Sequence, residues 1–310
     1  NFIFHPMDQK PTIILLAGPT ASGKSKLAIK LSKVLNGEIV NADSMQVYKE
    51  LRILTSRPSP SDIEKIKHHL YGFISVKKNF STGAWLNIAT KKIKSILKKK
   101  KIPILVGGTG LYFKALVDGL VQIPDVPILL RKKIRKYHKK IGQKKFYNDL
   151  LKLDPKVKNF ISESDNQRSI RAYEIKKFTK KSLYDWIKNT KSTFDPNIFK
   201  KFFIYPSKDF LSCQINLRID KMFRRGAKQE VRKFLKMKIH PDLSVNKVIG
   251  IREIKDYLVK KLTLIEVKNL IQIRTRQYAK RQFTWARGKM SSWTIINPKN
   301  YKDILDTLVN

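Results

Sequence analysis

The first third of the chain alternates two hydrophobic rhythms. A continuous apolar run, Thr12-Ile13-Ile14-Leu15-Leu16-Ala17, gives way to small and polar residues, after which Leu27, Ala28, Leu31 and Leu35 recur at helical spacing. An apolar run of this length bounded by glycine reads as a strand buried on both faces, and the later spacing as an amphipathic helix. The rhythm repeats. Residues 38–41 form a second run, 84–100 a second helical pattern, 102–106 a third run and 111–117 a further helix. Short buried strands alternating with helices predict an α/β fold, a mostly parallel sheet flanked by helices.

The texture changes near residue 124. Pro124-Asp125-Val126-Pro127 reads as a linker, and 128–191 as successive basic amphipathic helices. Phe202-Phe203-Ile204-Tyr205 looks like a strand returning to the sheet. We therefore expect an all-α insertion at 125–201 within one core made of 8–124 and 202–310. From Asp209 the pattern is helical to the end, apart from a short strand near 293–296. Lys98-Lys99-Lys100-Lys101 reads as a solvated helix end. Asn1 to Pro6, ahead of Met7, read as a dispensable extension.

Charge sharpens this picture. Lys and Arg number 66 against 24 Asp and Glu, a formal net charge of +42, which points to a polyanionic partner, a nucleic acid before an acidic membrane. The excess is mostly lysine, in a chain also rich in Ile and Asn, and AT-rich coding favours all three. The positions of the charges therefore count for more than their sum. The single cysteine, Cys213, excludes an intramolecular disulfide and a Cys-rich zinc site and fits a reducing cytoplasm. No apolar stretch approaches the ~18 residues of a membrane span.

The chemistry starts where the first run ends. Gly18-Pro19-Thr20-Ala21-Ser22-Gly23-Lys24-Ser25 fits the phosphate-cradle pattern G-x-x-x-x-G-K-[ST] in every fixed position, with a strand before it and a helix after it. Glycines let backbone N–H groups converge on an anion, the helix N-terminus adds its dipole, Lys24 adds a point charge and Ser25 a hydroxyl for Mg²⁺. The core is thus P-loop NTPase-like. An ATPase also needs an acid at a strand end to hold its metal, yet run 102–106 ends in Gly107-Gly108-Thr109-Gly110. The nearest acid at a strand end is Asp43, which from spacing alone is a metal ligand, a helix N-cap or a base. Thr109, following Gly107-Gly108, reads on local grounds as a helix N-cap. His68 and His69 have no spaced acid pair and read as structural.

Six motifs stand in one order: the phosphate loop, Asn41-Ala42-Asp43-Ser44-Met45-Gln46-Val47-Tyr48, Leu105-Val106-Gly107-Gly108-Thr109-Gly110-Leu111-Tyr112, Asp165-Asn166-Gln167-Arg168-Ser169-Ile170-Arg171, Ile249-Gly250-Ile251-Arg252-Glu253, and residues 275–285 ending in Phe283-Thr284-Trp285. Together they resemble the tRNA dimethylallyltransferases of bacterial type, over most of the chain from about residue 12 to 285. The resemblance implies transfer of a dimethylallyl group from its diphosphate to N6 of adenine 37, beside the tRNA anticodon, with Mg²⁺ at Ser25. It implies that the loop holds a diphosphate leaving group, which accounts for the missing ATPase acid. Asp43 matches the family's general base, Thr109 the residue near the reacting ends, and Arg218 the arginine on the diphosphate. The tRNA contacts it implies are Asp43, Ser44, Met45, Gln46, Gln167, Arg168, Ser169, Ile170, Arg171, Arg252, Arg276, Lys280, Arg281, Gln282, Thr284 and Trp285. Arg276, Lys280 and Arg287 are also spaced to share one helical face. The partners implied are a tRNA anticodon stem-loop and dimethylallyl diphosphate, with the chain a cytoplasmic monomer.

Some positions depart from the family pattern: Gln214 where Arg is common, Ile251 where Tyr is usual, Phe80 and Trp85 where Tyr and Phe are commoner, and Ser56-Arg57-Pro58 for Ala-Lys-Pro. None removes a proposed catalytic group. Two other readings share the loop. An ATP-dependent kinase of a nucleotide or small metabolite needs an arginine-bearing lid, for which residues 165–171 are the candidate. An RNA-binding protein without activity would keep tRNA affinity but form no product.

Overall fold

The computed structural model describes residues 11–121, 123–188 and 190–297. The reading of Asn1 to Pro6, and the end of the chain beyond 297, lie outside the described residues. The first run is β1 (Ile13–Ala17), buried along its whole length. After the phosphate loop come α1 (Lys24–Val34) and β2 (Gly37–Asn41). Next are α2 (Pro60–Lys65), β3 (His68–His69) and α3 (Thr82–Lys98). Then follow β4 (Ile102–Gly107) and α4 (Gly110–Val117).

The chain returns to the sheet as β5 (Phe199–Ile204), runs through α9 (Lys208–Arg224), α10 (Ala227–Lys236), α11 (Ile251–Leu258) and α12 (Leu264–Lys289), and closes with β6 (Thr294–Ile296). Between α4 and β5 lie α5 (Ile128–Ile141), α6 (Gln143–Leu153), α7 (Asn166–Thr179) and α8 (Leu183–Lys188).

Six parallel strands form one sheet in the order β3-β2-β4-β1-β5-β6. Central β1 explains its own sequence. Ile13, Leu15 and Ala17 pack on one face with Trp85 and Phe113, while Ile14 and Leu16 pack on the other with Leu27 and Leu31. Both faces are covered, so every position is apolar. Trp85 is fully buried, stacks on Tyr112 with ring centroids 4.2 Å apart and donates its indole N–H to the Asn41 carbonyl at 2.9 Å. Truncating such a residue to alanine costs about 3–5 kcal/mol.

Two short elements escape the periodicity. Helix α2 is announced only locally, by Pro60 in its first turn and a reciprocal cap between Ser59 and Asp62. Strand β3 is too short to show alternation. Its His69 Nε2 lies 2.6 Å from the buried Glu38 carboxylate, and Lys101 Nζ lies 3.3 Å from it. Lys98, Lys99 and Lys100 are exposed as expected of a helix end, whereas Lys101 closes this ion pair.

Two compact units emerge, one of residues 1–117 with 194–310 and the other Asp118–Thr193. The helical unit therefore begins and ends earlier than the 125–201 expected. Phe199, Lys200 and Lys201, read as the end of the insertion, pair with Ile13, Ile14 and Leu15 as the start of β5, and Tyr205 falls outside that strand. Within the helical unit Tyr147, Leu150, Ala172 and Ile175 form the core. Its buried Glu174 faces Arg131, Arg135 and Arg171. Among the described residues no helix is long and apolar enough to cross a membrane.

Candidate active site

The phosphate loop leaves β1 at the carboxyl edge of the sheet, where parallel α/β folds hold their ligands. Gly23 has φ 86°, a left-handed value that suits glycine, and no side chain caps the helix that starts at Lys24. Its first N–H groups thus remain available to an anion. At Gly18 a side chain would press on Ser22 Oγ and Ile204. Lys24 Nζ donates to the Pro19 carbonyl at 3.0 Å, and the Ser25 hydroxyl is exposed at the cavity wall.

Thr20, at the loop's crest, is held from two helices. Arg218 of α9 donates to its hydroxyl at 2.6 Å, and its backbone N–H donates to Gln282 Oε1 of α12 at 2.8 Å. Gln282 donates in turn to the Gly108 carbonyl at 2.9 Å. One buried amide thereby ties the phosphate loop to the loop after β4. Gly108 must be glycine for this, because a Cβ there would overlap the Gln282 amide.

The second wall is the end of β2. Asn41 is buried; its side-chain oxygen accepts the Asp43 N–H at 2.9 Å, and its amide donates to the carbonyls of Asp43 and Leu70, each at 3.0 Å. Asp43 Oδ1 accepts the Met45 N–H at 2.9 Å. This is a local turn and no helix starts there, so the N-cap alternative for Asp43 is set aside. Thr109 directly precedes α4, and its carbonyl accepts the Tyr112 N–H at 2.9 Å. Its hydroxyl accepts the Ser44 N–H at 2.9 Å and donates to the Ser44 hydroxyl at 3.2 Å. Gly107 permits this approach, since a Cβ would fall on the Ala42 carbonyl.

Thr20, Lys24, Ser25, Asp43, Gln46, Arg218 and Tyr278 line one cavity of about 700 Å³. Thr109 is not among its lining residues and meets it only through its bonds to Ser44, the neighbour of Asp43. Burial pulls the Lys24 ammonium down to about 8; Asp43 opposes that shift and Arg218 reinforces it. Burial likewise lowers the Arg218 guanidinium, against the pull of Asp43. The phenols of Tyr71, Tyr112 and Tyr278 are pushed up, first by burial and then by the Asp43 charge, so they stay neutral donors. Asp43 is the one carboxylate among the lining residues, against the desolvated Lys24 and Arg218 and the further cations Lys26, Lys30, Lys247 and Arg281, which favours anions and proton acceptance together.

The residues implied as tRNA contacts divide into groups. Asp43, Met45, Gln46 and Arg281 line the cavity, and Ser44 adjoins it. Arg252, Arg276, Lys280, Arg281 and Thr284 are exposed on α11 and α12, as is Arg287. Gln282 is buried with its amide committed, so in this structure it is a strut and has no free face for RNA. The Trp285 ring packs on Gly110, and its indole nitrogen is buried without a partner among the described residues. In the helical unit Gln167 and Arg168 are exposed, Ser169 is buried and Ile170 is half-buried. Arg168 pairs with Asp165, Arg171 with Glu174.

Sequence reading missed Asn41 as the double anchor of the Asp43 turn, and Tyr278 in the cavity wall. Tyr278 lies four residues before Gln282 on α12, so the two share one helical face. Of the departures from the family pattern, Gln214 lines the cavity while Ile251 and Trp85 are buried.

Comparisons with known proteins agree in kind. The family model described as IPP transferase matches residues 46–289. A tRNA dimethylallyltransferase of Pelagibacter ubique is 57% identical over 292 residues, covering 94% of this chain and 93% of that protein. One from Rickettsia massiliae is 44% identical, covering 99% and 85%. The solved structure of the full-length tRNA isopentenylpyrophosphate transferase of Bacillus halodurans is 30% identical, covers 97% and 96%, and superposes with a TM-score of 0.69. A eukaryotic dimethylallyltransferase solved acting on tRNA is 28% identical, covers 93% and 74%, and gives 0.81.

Proposed function

The chain belongs to the IPP transferase family, and from that premise we propose that it transfers a dimethylallyl group from dimethylallyl diphosphate to N6 of adenine 37 in the anticodon loop of a tRNA. The observation that carries this reading is the meeting of Lys24, Arg218 and Asp43 in one cavity beside a phosphate loop. Two cations and a row of free N–H groups suit a diphosphate, and a carboxylate opposite them suits an amine that must lose a proton.

In the reaction the allylic C–O bond breaks and its electron pair stays on the diphosphate. Loop amides, Lys24 and Arg218 stabilise that developing anion. N6 of adenine forms the new bond to the allylic carbon, and its proton passes to Asp43. With Oδ1 engaged by Met45, Oδ2 is the oxygen that accepts it. Thr109 is the hydroxyl nearest in role to the allylic oxygen. Adenine 37 must leave the stack to enter such a cavity.

Ser25 offers a hard oxygen at the cavity wall, and among the described residues no group of three His, Cys, Asp or Glu could cage a metal. That donor set fits a Mg²⁺ held mainly by the substrate's phosphates and water, with Ser25 as the protein ligand. The ion, when bound, neutralises charge on the leaving diphosphate. Exposed Arg276, Lys280 and Arg287, with Gln167 and Arg168 of the helical unit, supply contacts to the RNA backbone. The chain is proposed to work as a monomer where cytoplasmic tRNA is found.

The test is a transfer assay with Mg²⁺, labelled dimethylallyl diphosphate and unmodified tRNA carrying adenine at positions 36 to 38. Label in the tRNA, lost when adenine 37 is replaced, is the expected result. ATP consumption without labelled tRNA would overturn the reading.

A further inference from the structure

One wall of the cavity is built on a single turn of chain, residues 51–57. Ser56 N–H donates to the Ile53 carbonyl at 3.0 Å and Arg57 N–H to the Arg52 carbonyl at 3.1 Å, closing the turn through Ser56 at φ 51°. Like a helix end, it has an amide side and a carbonyl side. The amide side is filled by one carboxylate. Glu230 Oε1 accepts the N–H groups of Arg52 and Ile53, each at 2.7 Å, and Oε2 accepts that of Leu54 at 2.9 Å. The carbonyl side faces the site. Gln46 Nε2 donates to the carbonyls of Thr55 and Ser56 at 2.9 and 3.1 Å, and Arg218 Nη2 lies 3.5 Å from the Leu54 carbonyl.

Glu230 itself is fixed. It sits in the first turn of α10, whose Ala227, Val231 and Phe234 are buried in the core beneath the cavity. A charge-assisted bond to three consecutive N–H groups is stronger than neutral bonds and specific in direction. It cancels the positive end of the turn's dipole and leaves the negative end toward Arg218.

We propose that Glu230 is a positioning residue for the transfer: it holds the 52–56 turn so that its carbonyl side keeps Arg218 and Gln46 in place at the cavity. Glu230 touches no substrate and acts through Arg218 on the diphosphate and through Gln46 on the tRNA side. The inference rests on the function proposed above only for its consequence in catalysis; the effect on diphosphate binding stands apart from it.

The experiment compares wild type, Glu230→Gln, Arg218→Ala and the double variant, each with a thermal unfolding curve. Glu230→Gln keeps the side chain's size and one acceptor oxygen, which guards against loss of the fold. Two readouts are taken: the dissociation constant of inorganic diphosphate by calorimetry, and KM and kcat in the transfer assay. Glu230→Gln should weaken diphosphate binding roughly tenfold, appear in KM more than in kcat, and add little once Arg218 is gone. Unchanged diphosphate binding in Glu230→Gln, or an effect fully multiplicative with that of Arg218→Ala, overturns the proposal. So does a lowered melting temperature with binding intact, which makes Glu230 structural only. Should wild type transfer nothing, the reaction proposed above fails, and the four calorimetric constants still decide the place of Glu230.

Discussion

The phosphate-loop cavity and the helical unit both carry positive charge, and they use it in opposite ways. In the cavity two cations are desolvated, each with a fixed partner: Lys24 on the Pro19 carbonyl and Arg218 on Thr20. In the helical unit the cations are largely exposed, and Arg131, Arg135 and Arg171 gather round the one carboxylate of Glu174. Desolvation makes a charge's position matter, because little water remains to screen or replace it. An exposed charge is screened by salt and backed up by its neighbours. A chain of net charge +42 can therefore depend steeply on a few cations and weakly on most of the rest.

The hardest test of that contrast is in the cavity. Asp43→Ala should cut transfer by about 10²–10⁴-fold while tRNA affinity, measured by filter binding, stays near wild type. A near-normal rate would remove Asp43 as base. Next comes Lys24→Ala, expected to weaken allyl diphosphate binding by about 10–100-fold. Unchanged binding would mean that the loop serves another ligand.

The same lysine gives a pH signature. Its ammonium is pulled down to about 8 in the free protein, and a bound diphosphate favours the charged form. Affinity should be full below that value and fall as the pH rises through it. A flat calorimetric profile over about pH 7 to 10 would contradict the desolvated environment.

Gln282→Ala comes third, with roughly a tenfold loss in kcat, since it releases the phosphate loop from Gly108 without removing a reacting group. A loss confined to tRNA affinity would return Gln282 to the RNA-contact group. Smallest is the double change Arg276→Ala with Lys280→Ala, expected to weaken tRNA binding a few-fold and to lower the salt slope by about one to two. An unaltered slope would make that face plain solvated surface.

Much of the site was legible because its pieces are contiguous. β1, the loop and α1 form one segment, and each announces itself by periodicity or by the glycine its backbone needs. The Asp43 and Thr109 segments were legible as motifs, but not what each hydroxyl and carboxylate bonds to. Gln282 shows why. Its partners lie 262 and 174 residues away, and nothing in its neighbourhood on α12 distinguishes a strut from an RNA contact. Glu230 is similar: a lone acid in the first turn of a basic helix, whose three N–H partners belong to a turn more than 170 residues earlier.

The sequence by itself determined the parallel core, the phosphate loop, the presence of a helical insertion and the candidate groups for the chemistry. These follow from local rules, in which a residue's neighbours along the chain fix its backbone and its face. Only the tertiary structure decided where the insertion ends, that the Thr109 hydroxyl bonds Ser44, and that Gln282 braces the phosphate loop and Glu230 the 52–56 turn. Those outcomes depend on which distant segments meet once both faces of the sheet are covered. The pairing of polar groups at that meeting is set by burial, because a donor or acceptor removed from water must find whichever partner the packing brings to it.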